Sequence, residues 1–315
     1  MPVLIQSRSA VLACALMIGA SVAFAQEPTS GLQLRLETER PSYELGEPIY
    51  LIVRVVNAGN RAETLVPVLN PKDGMLAVSV RAPDGQGKGF VALSARDREA
   101  DPIVLAPKGQ VATTFPIFFG ATGWLFETPG RYVVRAEFAV NSAPGKWQTI
   151  RADPITVTVT DKGMEAGRFL MQKDAAGTQA GKFLVWGSGD QLVQGMERLN
   201  QLAERFPGAP VVDYYRVALG RSLARPFKNY ATNKVRPADY PGALSSLERS
   251  RDSALVSPVL VQKYIAQAMS LLGTGRSAEA SAAIKRAGAL IESRPELADF
   301  RQQLERVERA AEGRK

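Results

Sequence analysis

Residues 32–57 open with Leu32-Gln33-Leu34-Arg35-Leu36-Glu37 and turn through Pro41-Ser42-Tyr43-Glu44-Leu45-Gly46-Glu47-Pro48. They continue as Ile49-Tyr50-Leu51-Ile52-Val53-Arg54-Val55-Val56-Asn57. The first segment alternates apolar and polar side chains, which sets Leu32, Leu34 and Leu36 on one face of a strand. Proline and glycine make the turn, and 49–56 is a strongly apolar strand. Asn57-Ala58-Gly59-Asn60 turns the chain again. Further strands are expected at 64–68, 76–81, 90–93, 111–119, 131–138 and 155–160. Turn chemistry separates them at Pro83-Asp84-Gly85, Pro107-Lys108-Gly109 and Pro129-Gly130. So many short strands, each with one apolar face, predict an antiparallel β-sandwich, because that face needs an opposed sheet.

The composition changes near Asp161. Residues 32–160 are rich in Val, Thr, Phe, Pro and Gly, and residues 164–313 in Ala, Leu, Arg, Glu and Gln. Residues 26–161 hold 14 basic against 15 acidic side chains, so the chain's formal charge of +8 belongs to residues 162–315. In that second part Leu192, Met196, Leu199 and Leu202 recur at helical spacing, with Asp190 as a cap and Pro207-Gly208 as a stop. Further helices are expected at about 163–173, 210–225, 240–253, 258–273, 277–291 and 295–312, and 226–239 reads as a connecting loop. The fold class is therefore β followed by α. The expected domains are a leader at 1–25, a β-sandwich at 26–161 and an all-α helical-hairpin domain at 162–315, the last two folding separately.

Two resemblances refine this. Residues 41–57, quoted above, resemble the opening of bacterial immunoglobulin-like modules. Pro129-Gly130-Arg131-Tyr132-Val133-Val134-Arg135-Ala136 resembles a late strand of the same modules, with Tyr132 where a tyrosine corner would sit. The resemblance covers roughly residues 30–160, lacks the Cys–Trp–Cys core, and implies a fold but no particular function. In the helical part, 271–275 with Glu279, Ala280, Ile284 and Ala287, and Pro295 beyond, resembles the second half of a tetratricopeptide repeat. Residues 196–207, with Gly195 as the small packing residue, and Ala243 with Leu247 are further matches. Pro258 and Pro295 fall about three residues late for that pattern. A helical-hairpin array is the firmer reading, and a compact bundle is the alternative.

The N-terminus reads as a secretory signal. Arg8 supplies the positive charge, an apolar stretch runs from residue 10 to 24, and Ala23-Phe24-Ala25 is a small-x-small site before Gln26. The stretch is shorter than the roughly 20 residues of a membrane-spanning helix. Cys14 stands too close to Arg8 for a lipoprotein box. A periplasmic or secreted protein is expected.

The chain has no histidine, and Cys14, its one cysteine, lies in that leader. Those two residue types serve most transition-metal sites and most activated nucleophiles. No G-x-S-x-G, S-x-x-K, P-loop or G-x-G-x-x-G signature is present. No catalytic residue, metal or cofactor is expected, although a carboxylate pair acting on glycans needs no histidine. Asp97, Glu99 and Asp101 could supply oxygen ligands to calcium, or form a solvated edge.

The candidate binding residues are Arg216, Arg221, Arg225, Lys228, Tyr230, Lys234 and Arg236, basic and aromatic side chains interleaved with Tyr214, Tyr215, Phe227 and Tyr240. The same pattern suits aromatics in a helix core with arginines solvating the outside. Trp124, Trp147 and Trp186 are expected to pack structurally. The reading is an exported, non-enzymatic binding protein joining envelope proteins. Its partner would be an envelope protein, an acidic peptide or an anionic glycan, with no nucleic acid and no membrane span after leader cleavage. A polysaccharide-binding protein is the alternative, and a histidine-independent glycan-acting enzyme is the third reading.

Overall fold

The computed structural model describes residues 31–95, 100–143, 146–229 and 232–313. In chain order the β half holds β1 (Leu32–Glu37), β2 (Ser42–Glu44), β3 (Tyr50–Asn57), β4 (Glu63–Leu65), β5 (Leu76–Arg81), β6 (Gly87–Phe90) and β7 (Ile103–Leu105). It continues with β8 (Gln110–Pro116), β9 (Phe119–Gly120), β10 (Gly123–Trp124), β11 (Gly130–Ala143), β12 (Lys146–Arg151) and β13 (Ile155–Thr160). The alternation in β1 is realised: Leu32, Leu34 and Leu36 are buried and the residues between them exposed.

β1, β3 and β8 form one antiparallel sheet, in that order. The second sheet runs β2-β13-β11-β5-β6, and its spine is β11. The first part of β11 pairs with β13, its later part with β12, and β5 lies along the opposite edge. β2 joins β13 in parallel, so the sandwich is antiparallel except at that edge. Leu34, Leu36, Leu51 and Val53 from the first sheet meet Val78, Val80, Val134, Phe138 and Val157 from the second in a shared core. The Tyr132 hydroxyl donates to the Thr128 carbonyl at 2.7 Å and accepts the Thr128 N–H at 3.0 Å, which ties the preceding loop to β11.

The second half holds α1 (Met164–Leu170), α2 (Ala175–Trp186), α3 (Val193–Arg205), α4 (Pro210–Leu223), α5 (Tyr240–Glu248), α6 (Ser257–Gly273), α7 (Ser277–Ser293) and α8 (Arg301–Glu312). Consecutive helices pack as pairs, α2 with α3, α4 with α5 and α6 with α7. Gly195 explains one of these contacts: a Cβ there would lie 2.4 Å from the Gln179 backbone, so only glycine lets α3 approach α2. No helix among the described residues is long and apolar enough to cross a membrane.

Several expectations change. α2 was absent from the expected helices because it is apolar round much of its circumference and carries two glycines. The Asp174 side chain caps it, accepting the Gly177 N–H at 2.7 Å. The 226–239 loop contains a small hairpin of β14 (Phe227–Asn229) and β15 (Lys234–Arg236). The expected helix at 295–312 is a 3-10 turn, Pro295–Phe300, followed by α8.

The boundary near residue 161 is a change of secondary structure and not a break in packing. One core cluster runs from Leu32 through Phe119 and Phe183 to Ala266, and a second lies among α6, α7 and α8. The turn Pro295–Phe300 lies along β8, whose outer edge pairs with no strand among the described residues, and so covers an edge that would otherwise be open to pairing. Arg54 donates to Glu296 at 2.9 Å and Thr113 to Asp299 at 2.9 Å across this seam. Glu39 accepts the Ser257 N–H and hydroxyl at the start of α6. Arg40 is ion-paired with the buried Glu47 and donates to the Tyr214 hydroxyl of α4 at 2.9 Å.

Separated at residue 161, each half would expose its share of this seam to water. Neither fragment is then expected to keep the cooperative melt of the whole chain in near-ultraviolet circular dichroism. A fragment that melts as sharply and as high as the intact protein would show that the seam adds little.

Candidate functional site

The seam closes imperfectly. Between the β1-β3-β8 sheet and the helices lies a cavity of about 600 Å³, within the size range of small-molecule sites. Tyr50 enters from β3 and Thr114 from β8, where Tyr50 faces Pro116 and Ile52 faces Thr114 in the register. These positions alternate with Leu51 and Val53, which point into the sandwich core. The helical half supplies Trp186 from the end of α2 and Arg221 from α4, and Phe300 closes one side.

Arg221 sets the electrostatics. It makes no hydrogen bond or ion pair with any described residue, and it is half-buried. Its guanidinium packs against Gly187, where an added Cβ would lie 2.5 Å from Nη1. Gly187 caps the C-terminal end of α2, whose partial negative charge offsets some of the cation. Burial pulls the Arg221 guanidinium down to about 10, with Tyr50 acting in the opposite sense and Arg225 in the same sense. It remains a cation at neutral pH. Burial pushes the Tyr50 hydroxyl up to about 12, so it stays a donor there. Thr114 Oγ1 is buried with no hydrogen-bond partner among the described residues. Leaving such groups unmatched costs on the order of 1–3 kcal/mol each.

The other charged residues on the wall are Lys72 and Asp299. Lys72 has a partner of its own, and Asp299 accepts the Thr113 hydroxyl. Phe90 and Phe115, stacked with ring centres 6.3 Å apart, make part of the apolar wall. The site thus offers one uncompensated cation, two hydroxyl donors and aromatic surface.

Of the candidate binding residues that the structure describes, Arg221 alone lines this cavity. Arg216 donates to the buried Asp213 at 3.4 Å and to the Arg249 carbonyl at 3.0 Å. Arg236 is held by Asp190 at 2.6 Å and by the Ser222 carbonyl at 2.9 Å. Arg225 is exposed just beyond α4, and Lys228 and Lys234 are exposed on the small hairpin. Tyr230, like Asp97 and Glu99, lies outside the described residues, and Asp101 is exposed.

The tryptophans divide. Trp124 is buried between Phe118 and Phe119, as expected. Trp147 is 60% exposed on β12 and packs into no core, and Trp186 borders the cavity at 37% exposure. Tyr50 and Thr114 were missed because both read as strand interior. The signal was in β3 itself: a strand apolar on both faces has both faces covered.

No known protein family matches the chain, and no curated protein does. Among solved structures, the sporulation control protein Spo0M of Bacillus subtilis is 16% identical, covering 43% of this chain and 54% of its own, with a TM-score of 0.25. The CARDB domain of the PF1109 protein of Pyrococcus furiosus, solved in complex with di-metal ions, is 15% identical, covering 41% of this chain and 87% of its own, with a TM-score of 0.23. The β-glucosidase EmGH1 of Erythrobacter marinus is 21% identical over 40% of this chain and 15% of its own, with a TM-score of 0.21.

Proposed function

We propose that this chain is an exported, non-enzymatic binding protein of the cell envelope, in which an immunoglobulin-like sandwich and a tetratricopeptide-like helical array together hold a segment of another envelope protein. The observation that carries the reading is Arg221, a cation without a counter-ion in an aromatic-walled cavity at the seam. An uncompensated, half-buried charge is unfavourable by itself and becomes favourable once an anionic group arrives. The Tyr132–Thr128 corner supports the sandwich assignment, and the sequential helix pairs support the array. The lack of histidine, and of cysteine beyond Cys14, supports binding over catalysis.

The test is affinity capture from an envelope extract with the chain from Gln26 onward as bait, beside its Arg221→Met variant, across a salt series. A discrete protein held by the wild-type bait, lost with the variant and released as salt rises is the expected result. Retention of glycans by both baits would favour the polysaccharide-binding alternative, with Trp147 as the platform to examine.

A further inference from the structure

The chemistry of the guest can be narrowed, and the narrowing rests on the binding reading above. We infer that the seam cavity is a carboxylate site, in which Arg221, the Tyr50 hydroxyl and the Thr114 hydroxyl receive a single carboxylate borne on an aromatic body.

A planar guanidinium fork matches a carboxylate in two parallel hydrogen bonds, and two hydroxyl donors can serve the remaining lone pairs. Thr114 Oγ1 is buried without a partner among the described residues, so a guest oxygen would satisfy it. Charge argues for one negative unit. Lys72 and Asp299 on the same wall carry opposite charges, so Arg221 leaves the wall with a net charge of one, which a doubly charged phosphate would exceed. Shape argues for the aromatic body: the Phe90–Phe115 stack, Trp186 and Phe300 give flat surface within about 600 Å³, far more room than a bare anion fills. A small aromatic acid and the C-terminal carboxylate of a chain ending in an aromatic residue share this chemistry.

The experiment titrates the chain from Gln26 onward with 1-naphthoate and its neutral counterpart 1-naphthamide. A tripeptide ending in phenylalanine with a free carboxylate, its C-terminal amide, and inorganic phosphate complete the series. Heat of binding and tryptophan fluorescence are read together, Trp186 being the tryptophan on the cavity wall. Each acid is expected to bind about 10–100-fold tighter than its amide, the contribution of hydrogen bonds to a charged group. Tighter binding of the tripeptide acid assigns the site to chain termini, and tighter binding of naphthoate assigns it to small acids.

Arg221→Met is expected to remove the preference for acid over amide while melting no lower than the wild type, since it deletes an unmatched cation. Should that variant fail to fold, Tyr50→Phe is expected to weaken the acids several-fold and leave the amides unchanged. Equal binding of acid and amide, tighter binding of phosphate than of either acid, or an acid preference that survives both substitutions would overturn the inference. If an envelope protein is captured and no acid binds, the carboxylate site falls and the adaptor reading stands. If acids bind and no protein is captured, the reverse holds.

Discussion

An Arg251→Met variant is expected to lose roughly 3 kcal/mol of stability, the low end for stripping the partner from a buried charge, because the Arg251 side chain is itself half-exposed. Asp213, in α4, is fully buried. Arg251 meets it with three bonds: its backbone N–H at 2.9 Å, Nε at 2.9 Å and Nη2 at 2.6 Å. The Nη2 group also donates to the Gly208 carbonyl at 3.1 Å, and Arg216 supplies a weaker contact to Asp213 at 3.4 Å. Without the Arg251 side chain the carboxylate keeps a backbone N–H and that long contact, too little for a charge removed from water. The melting temperature should fall on the order of 10 °C for a chain of this size.

One feature separates this account from a simple loss of packing. Asp213→Asn added to Arg251→Met should recover part of the loss, the coupling expected of residues in contact. Calorimetry of the single and double variants reads it. A deficit below about 1 kcal/mol, or a double variant no more stable than the single one, would place Asp213 in contact with water that the burial does not show.

The parts of the fold legible in the sequence were those with a regular period. β1, β5 and β13 each bury alternate residues, and α3 carries its leucines at helical spacing, so local pattern and tertiary environment agree. β12 was not expected: 146–151 mixes basic, aromatic and polar residues with no clean alternation, and it is a strand because β11 is long enough to offer it a partner. α2 escaped for the opposite reason, since burial on several sides removes the polar stripe that marks a surface helix.

The site was legible in one residue. Arg221 stood among basic residues that looked alike in sequence, and what distinguishes it is a place on the cavity wall with no carboxylate bonded to it among the described residues. Asp213 and Asp190 engage Arg216 and Arg236. Such pairing is a property of helices brought together from distant sequence, so charge counting cannot sort a site cation from a structural one. Tyr50 carried a readable hint in the double-faced apolarity of β3. Thr114 carried none, because its role depends on the helical half covering that face.

That covering depends on close approaches that glycine permits, and here one substitution should act with opposite sign at two places. Gly167 lies in α1 against the turn that leads into β3. A Cβ there would stand 2.5 Å from the Leu45 carbonyl oxygen and 2.8 Å from its carbon, distances real Cβ atoms do not adopt. Gly46 shares the contact from the other side: its own added Cβ would lie 3.0 Å from the Gly167 Cα, and its φ of +86° already favours glycine. The obstacle is backbone, which cannot swing aside as a long side chain can.

Alanine in a helix interior normally gains about 0.5–1 kcal/mol over glycine. At Gly167 that gain is opposed by overpacking, which typically costs about 1–3 kcal/mol and should fall at the upper end against a fixed carbonyl. Gly167→Ala is therefore expected to lower stability by about 2 kcal/mol net, and Gly167→Val by more. Gly288, in the middle of α7, meets at most the Leu304 Cδ2 at 3.7 Å, an ordinary contact. Gly288→Ala should raise stability by the propensity alone. Urea unfolding of both variants decides the matter: the two shifts in midpoint must have opposite signs. If Gly167→Ala also stabilised the protein, α1 would have room to move off the sandwich, and the seam that shapes the cavity would be looser than its contacts imply.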